Sequence, residues 1–208
     1  MDDYVASMKR ALIESVNFFG NKNKQERELL VLQDFLSYLP IPIICTDVVP
    51  ATEEPFDVSY GPYRFQVKEV LSEGRKRGDE YAQALSSITE ESKPEDLLEP
   101  YHPTNIPLND ALPRVVSELR RHREEKYDEQ QSFQRRASNI DVLVYLNLTD
   151  TTYSNKKVDF PHEELEKWKS VSLVSNNCAI VLACSDQCNQ LLFPHIGHLY
   201  VKNVKEII

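Results

Sequence analysis

The chain is poor in glycine: only 5 of its 208 residues, too few to suggest the Gly-rich loop that cradles a nucleotide phosphate. No apolar run nears the ~18 residues of a membrane span. Met1-Asp-Asp-Tyr4 also lacks the basic start and apolar centre of an export signal, so a soluble, cytoplasmic protein with no membrane partner is expected. Its four cysteines, Cys45, Cys178, Cys184 and Cys188, then read as reduced thiols. Basic residues are outnumbered, 24 against 33. The resulting net charge of −9 disfavours a protein that coats nucleic acid non-specifically, while leaving room for a local basic face.

What is present supports a core. Hydrophobic residues make up 41% of the chain, and the length fits one domain over residues 1–208. Met8, Leu12, Val16 and Phe19 recur at helical spacing, as do Leu29, Leu32, Phe35, Leu36 and Leu39. Two helices within residues 1–39, broken at Gly20-Asn-Lys-Asn23 and packed on the sheet, are expected. The β-branched run Ile41–Val49 predicts a strand, residues 73–90 a partly exposed helix, and 91–107 a long polar loop. A charged helix is predicted from Asn109 or Asp110, with Pro113 in its first turn, towards Gln134; it could serve a homodimer interface or a substrate channel. Ile140–Leu148 is almost continuously apolar, the pattern of a central strand covered on both faces, and 171–174 with 178–184 read as another strand pair. Helices, strands, helices, strands in that order suit an α/β fold: a mixed β-sheet flanked by α-helices.

The segment with most chemical content runs from Glu53 to Glu69. Gly61-Pro62 separates two short runs, 56–60 and 63–70, and reads as the turn of a hairpin. Side chains two apart on a strand share a face, so Gln66 and Lys68 project together while Phe65 and Val67 take the opposite side. With Asp57 on the facing strand, this is the layout of a metal-dependent phosphodiesterase site, weighed against an ordinary solvated hairpin face. Magnesium takes one or two carboxylates and fills its other positions with oxygen from water and phosphate. Asp57 would supply the carboxylate, with the Gln66 amide oxygen and the Val67 carbonyl as further metal ligands, and Mg²⁺ or Mn²⁺ as the cofactor. Lys68 would stabilise charge developing on the phosphate. Glu28, or Glu26 as second choice, would add a carboxylate from the helix whose apolar face at Leu32 and Phe35 packs on the same sheet.

Pro55-Phe-Asp57, eight intervening residues and Gln66-Val67-Lys68 resemble the signature of the PD-(D/E)xK nuclease superfamily, with its restriction-endonuclease-like fold. Chain length, the Glu26-Arg-Glu28 helix and the run Arg64–Arg75 also resemble the bacterial family of unknown function numbered 1780, described as endonuclease-like. The resemblance implies a metal-dependent hydrolase acting on DNA. Gln66 stands where that superfamily usually carries a carboxylate, and Phe56 separates Pro55 from Asp57. An amide is neutral and holds a divalent cation less tightly. The alternative is therefore a protein that keeps the nuclease fold as a binding or regulatory module without catalysis.

Three basic clusters are candidate phosphate contacts: Arg75, Lys76 and Arg77; Arg120 and Arg121 on the charged helix; and Arg135 with Arg136. Acids stand beside two of them, Asp79-Glu80 and Glu124-Glu125, the mark of a solvated helix face. Cys184, Cys188, His195 and His198 offer the residue types of a zinc site at poor spacing, so core or loop roles are the better reading.

Overall fold

The computed structural model describes residues 2–89, 92–93, 102–127, 136–154, 158 and 163–202. Arg135 and the expected C-terminal turns of the charged helix, 128–134, lie outside the described residues. Helix α1 (Asp2–Phe19) and helix α2 (Lys24–Tyr38) occupy the two periodic stretches, parted at Gly20 and a short 3-10 turn over Asn21–Asn23. Of the two, α2 feeds the core of the sheet: Leu32, Phe35 and Leu36 are fully buried against Val58, Phe65 and Leu143. Helix α1 leans on α3 (Arg77–Ser87), where the Phe19 and Tyr81 rings stack with centroids 5.1 Å apart.

The main sheet has seven strands. In spatial order they are β1 (Val48–Pro50), β2 (Val58–Tyr60), β3 (Tyr63–Leu71), β5 (Asp141–Asn147), β7 (Ser170–Val174), β8 (Cys178–Cys184) and β9 (Tyr200–Val201). Strands β3, β5 and β7 are parallel neighbours, and the flanking pairs are antiparallel. Parallel neighbours need a crossover connection. Between β3 and β5 it carries α3, β4 (Thr104–Pro107) and α4 (Leu108–Lys126). Strand β4 pairs in parallel with β6 (Thr151–Ser154) as a separate two-stranded sheet.

Both faces of the main sheet are covered, which is why β5 reads as a continuous apolar run. Val142, Val144 and Leu146 point to α4 and meet Leu112, Val115 and Leu119; Leu143 points to α2. The same alternation splits β3: Val70 joins the α4 side, and Phe65 and Val67 the α2 side. A mixed sheet flanked by helices is thus the architecture of the chain.

Three expectations change. The strand expected over 41–49 shrinks to Val48–Pro50 behind a 3-10 turn at Cys45–Asp47. Pro42 has no N–H to give a ladder, and Ile41 and Ile43 are apolar because they pack against the α2-side core. The loop expected over 91–107 ends in strand β4, whose four residues are too few for a periodic signal. Helix α4 starts at Leu108, which moves Pro113 from the first turn to the second.

Candidate functional site

Strand β2 is short and β3 is long, so the two part company at Asp57. The Asp57 N–H donates to the Phe65 carbonyl at 3.0 Å, and the Asp57 carbonyl accepts from Ala51 N–H at 3.0 Å. Beyond that point β3 has no strand beside it on this edge among the described residues. The Asp57 side chain closes the first gap: Val67 N–H donates to its Oδ2 at 2.9 Å. A strand residue presents its N–H and C=O to the same edge, so the Val67 carbonyl faces this opening too. The carboxylate is therefore fixed in place by the hairpin itself.

The other Asp57 oxygen, Oδ1, lies 3.4 Å from Nζ of Lys24, and the same ammonium lies 3.0 Å from Glu28 Oε1. Lys24 bridges the two acids. Glu28 is held above the ordinary glutamate range by burial first, with the neighbouring Asp57 charge adding to it and Lys24 opposing it. Glu26, on the other hand, is exposed to solvent.

Gln66 and Lys68 share the α4-facing side of β3, but the structure uses them differently. Gln66 Nε2 donates to the Pro55 carbonyl at 3.0 Å. Its Oε1 accepts from the Tyr127 hydroxyl at 2.6 Å and lies 2.9 Å from His122 Nε2. Burial first, then the cations Lys68, Lys126 and Arg121, push the His122 imidazole down to about 3. The ring is neutral, and its hydrogen on Nε2 serves Gln66. A carbonyl oxygen has two lone pairs, and both are committed. Gln66 therefore acts as a brace between β3, α4 and the segment before Asp57, which differs from the metal ligand expected of it.

Lys68 makes no hydrogen bond or ion pair among the described residues. Burial lowers its pKa, with Asp57 opposing and Lys24, Arg121 and Lys126 reinforcing the fall. Glu69, on the opposite face of β3 from Gln66 and Lys68, pairs with Arg77 at 2.5 Å. Arg77 in turn lies over the rings of Phe19 and Tyr145, 4.7 and 5.1 Å from their centroids. Because β3 is open at its edge, groups from both faces border one cleft of about 860 Å³, lined by five acidic and five cationic side chains.

Among the described residues of the basic clusters, Arg77 alone lines this cleft. Arg75 is engaged with Glu80 at 2.8 Å and with the Asn147 carbonyl at 3.3 Å. Arg121 pairs with Glu118 at 2.5 Å and Glu125 at 3.4 Å, and Arg120 with Glu164 at 3.8 Å. Lys76 and Arg136 are exposed. The zinc set is not assembled: His195 Nδ1 is held 2.7 Å from the Tyr200 hydroxyl. Among the described residues, no group of three or more His, Cys, Asp or Glu is arranged to hold a metal.

Lys24, His122 and Tyr127 were not singled out as site residues from the sequence. A signal existed for Lys24, which stands one helical turn before Glu28. None existed for His122 and Tyr127, which reach Gln66 across 56 and 61 residues of chain.

The architecture and cleft define an α/β protein whose ionisable site lies at the free edge of a parallel strand. The chain belongs to the family of unknown function numbered 1780, described as "putative endonuclease, protein of unknown function", which matches residues 1–205. It is also similar in fold to a Pseudomonas aeruginosa strain PAO1 protein of unknown function described as of the monooxygenase superfamily. The two share 24% identity with a TM-score of 0.64, over 97% of this chain and 95% of that one. No curated protein matches the chain.

Proposed function

We propose that the chain is a metal-dependent endonuclease of PD-(D/E)xK type that hydrolyses DNA phosphodiesters at the open edge of β3. The observation that carries this reading is the Asp57 carboxylate latched to Val67 N–H, with Glu28 and Lys68 bordering the same cleft. The donor set fits a hard divalent cation: two carboxylates and, by strand geometry, the Val67 carbonyl supply oxygen, as Mg²⁺ or Mn²⁺ prefers. The place between the carboxylates also favours positive charge, since a lysine ammonium rests there at 3.0 and 3.4 Å. Gln66 does not belong to this set.

A bound cation would polarise the phosphate and lower the pKa of its water. Asp57, Glu28 and the Val67 carbonyl would hold it. Lys68 lines the cleft and makes no hydrogen bond or ion pair among the described residues, so it is available to a phosphate oxygen as negative charge develops there. Gln66 holds the strand and the segment before Asp57 in register with α4. The monooxygenase-superfamily description of the P. aeruginosa protein is not carried over, because paired acids and lysines at a strand edge suit phosphate chemistry better. A second reading, a nuclease-fold binding module without turnover, is favoured by the committed amide of Gln66 standing where a carboxylate is usual.

Calorimetric titration with Mn²⁺ and a supercoiled-plasmid assay separate the two. Wild type should bind Mn²⁺ and nick the plasmid. Asp57→Asn, whose amide oxygen can still accept from Val67 N–H, should keep its melting temperature and lose activity by about 10²–10³-fold, the scale of removing one transition-state contact. A wild-type protein that binds no Mn²⁺ and leaves DNA intact would defeat the enzyme reading.

A further inference from the structure

We propose that Lys24 is the cleft's own tethered cation: it neutralises the Asp57–Glu28 pair in the metal-free protein and passes to a substrate phosphate when a divalent cation takes that pair. The inference rests on the nuclease reading and adds to it a means by which metal and substrate binding depend on each other. Three observations support it. The ammonium contacts both carboxylates, at 3.0 and 3.4 Å, so it stands where a cation held by both would stand. Lys24 is the first residue of α2 and its side chain is 65% exposed, whereas those of Glu28 and Asp57 are 12% and 19% exposed. The acids are the buried partners, with Asp57 also held by Val67 N–H, and the lysine is the exposed one. Finally, Lys24 lines the same cleft as Lys68, so an ammonium that swings off the pair remains at a cationic wall facing the substrate.

The electrostatics give the direction. Two neighbouring carboxylates repel each other, and Lys24 relieves that with one positive charge. A divalent cation brings two charges and repels the ammonium at close range, so both do not sit on the pair together. Burial works against the charge on Lys24, but hydrogen bonding and attraction from Glu28 and Asp57 outweigh it, so the competitor is a full cation. Metal binding must therefore break an ion pair, and removing Lys24 should tighten it.

Mn²⁺ affinity would be measured by calorimetry without nucleic acid for wild type, Lys24→Met and Lys24→Arg. DNA affinity would be measured by fluorescence anisotropy on a labelled duplex with Ca²⁺ in place of Mn²⁺. Lys24→Met should bind Mn²⁺ about 2- to 5-fold more tightly, the scale of a partly exposed ion pair, and should bind DNA more weakly by a similar factor. Lys24→Arg keeps the charge, so it should not tighten Mn²⁺ binding and should retain DNA binding. An unchanged or weaker Mn²⁺ affinity in Lys24→Met would overturn the competitor role, and an unchanged DNA affinity the phosphate role. Failure of every variant, wild type included, to bind Mn²⁺ would remove the nuclease reading and this inference together.

Discussion

At the scale of single residues, Gln66 is a buried amide whose every contact serves the framework of the cleft. Its amide donates once and accepts twice, tying Pro55 to Tyr127 and His122 in a site that is 9% exposed. A carboxylate there could still accept from Tyr127 and His122. It could not donate to the Pro55 carbonyl, and two oxygens would face each other without a hydrogen. Gln66→Glu should therefore destabilise the metal-free protein by about 1–3 kcal/mol, the cost of leaving buried polar groups unpaired. In a chain of this length that is a melting-temperature drop of roughly 3–10 °C. A thermal melt in chelator reads it directly; an unchanged or higher melting temperature would mean that the brace is not what Gln66 contributes.

At the scale of elements, the hairpin that carries the site depends on one backbone conformation. Tyr60 pairs with Tyr63, leaving a two-residue turn, and Gly61 has φ +55° while the proline ring fixes Pro62 at negative φ. That is the sign pattern of the tight turns that match strand twist. An added Cβ at Gly61 meets no atom within 4 Å, so only the backbone would object. Gly61→Ala should cost about 1–2 kcal/mol, the penalty of left-handed φ for an L-residue, read as a lower midpoint in urea unfolding. Such a turn was legible in the sequence because Gly-Pro between alternating runs has a local cause, and β5 was legible because burial on both faces leaves a continuous apolar run. Strands β4 and β9, of four and two residues, carry no period to read. The cleft was legible where a local pattern carries its groups: Gln66 and Lys68 by strand alternation, Asp57 by its place in the hairpin, and Glu28 by its helix face. What decides the task of Gln66 comes from α4, and no pattern local to the hairpin contains it.

At the scale of the whole molecule, a net charge of −9 sets how DNA could be held. Each phosphate neutralised by a protein cation adds about −0.9 to the slope of log affinity against log salt. Arg120 and Arg121 stand on α4 in a mesh of acids, Glu118, Glu125 and Glu164, and would have to exchange those partners for phosphate. Lys24, Lys68, Arg77 and Lys126 border the cleft. If these four carry the contacts, the slope should fall between about −2 and −4 from roughly 50 to 200 mM salt. The double variant Arg120→Ala, Arg121→Ala should then keep DNA affinity within about 2-fold, because both arginines are already paired with acids on the outer face of α4 and lie outside the cleft. Lys126→Ala, which removes a cleft cation, should reduce both the affinity and the slope, the latter by about one. Anisotropy titrations on a labelled duplex with Ca²⁺ would measure all three proteins. A steep wild-type slope that collapses in the Arg120, Arg121 variant would move the DNA-binding surface from the cleft to the outer face of α4, and Lys68 would then lie away from the path of the scissile strand.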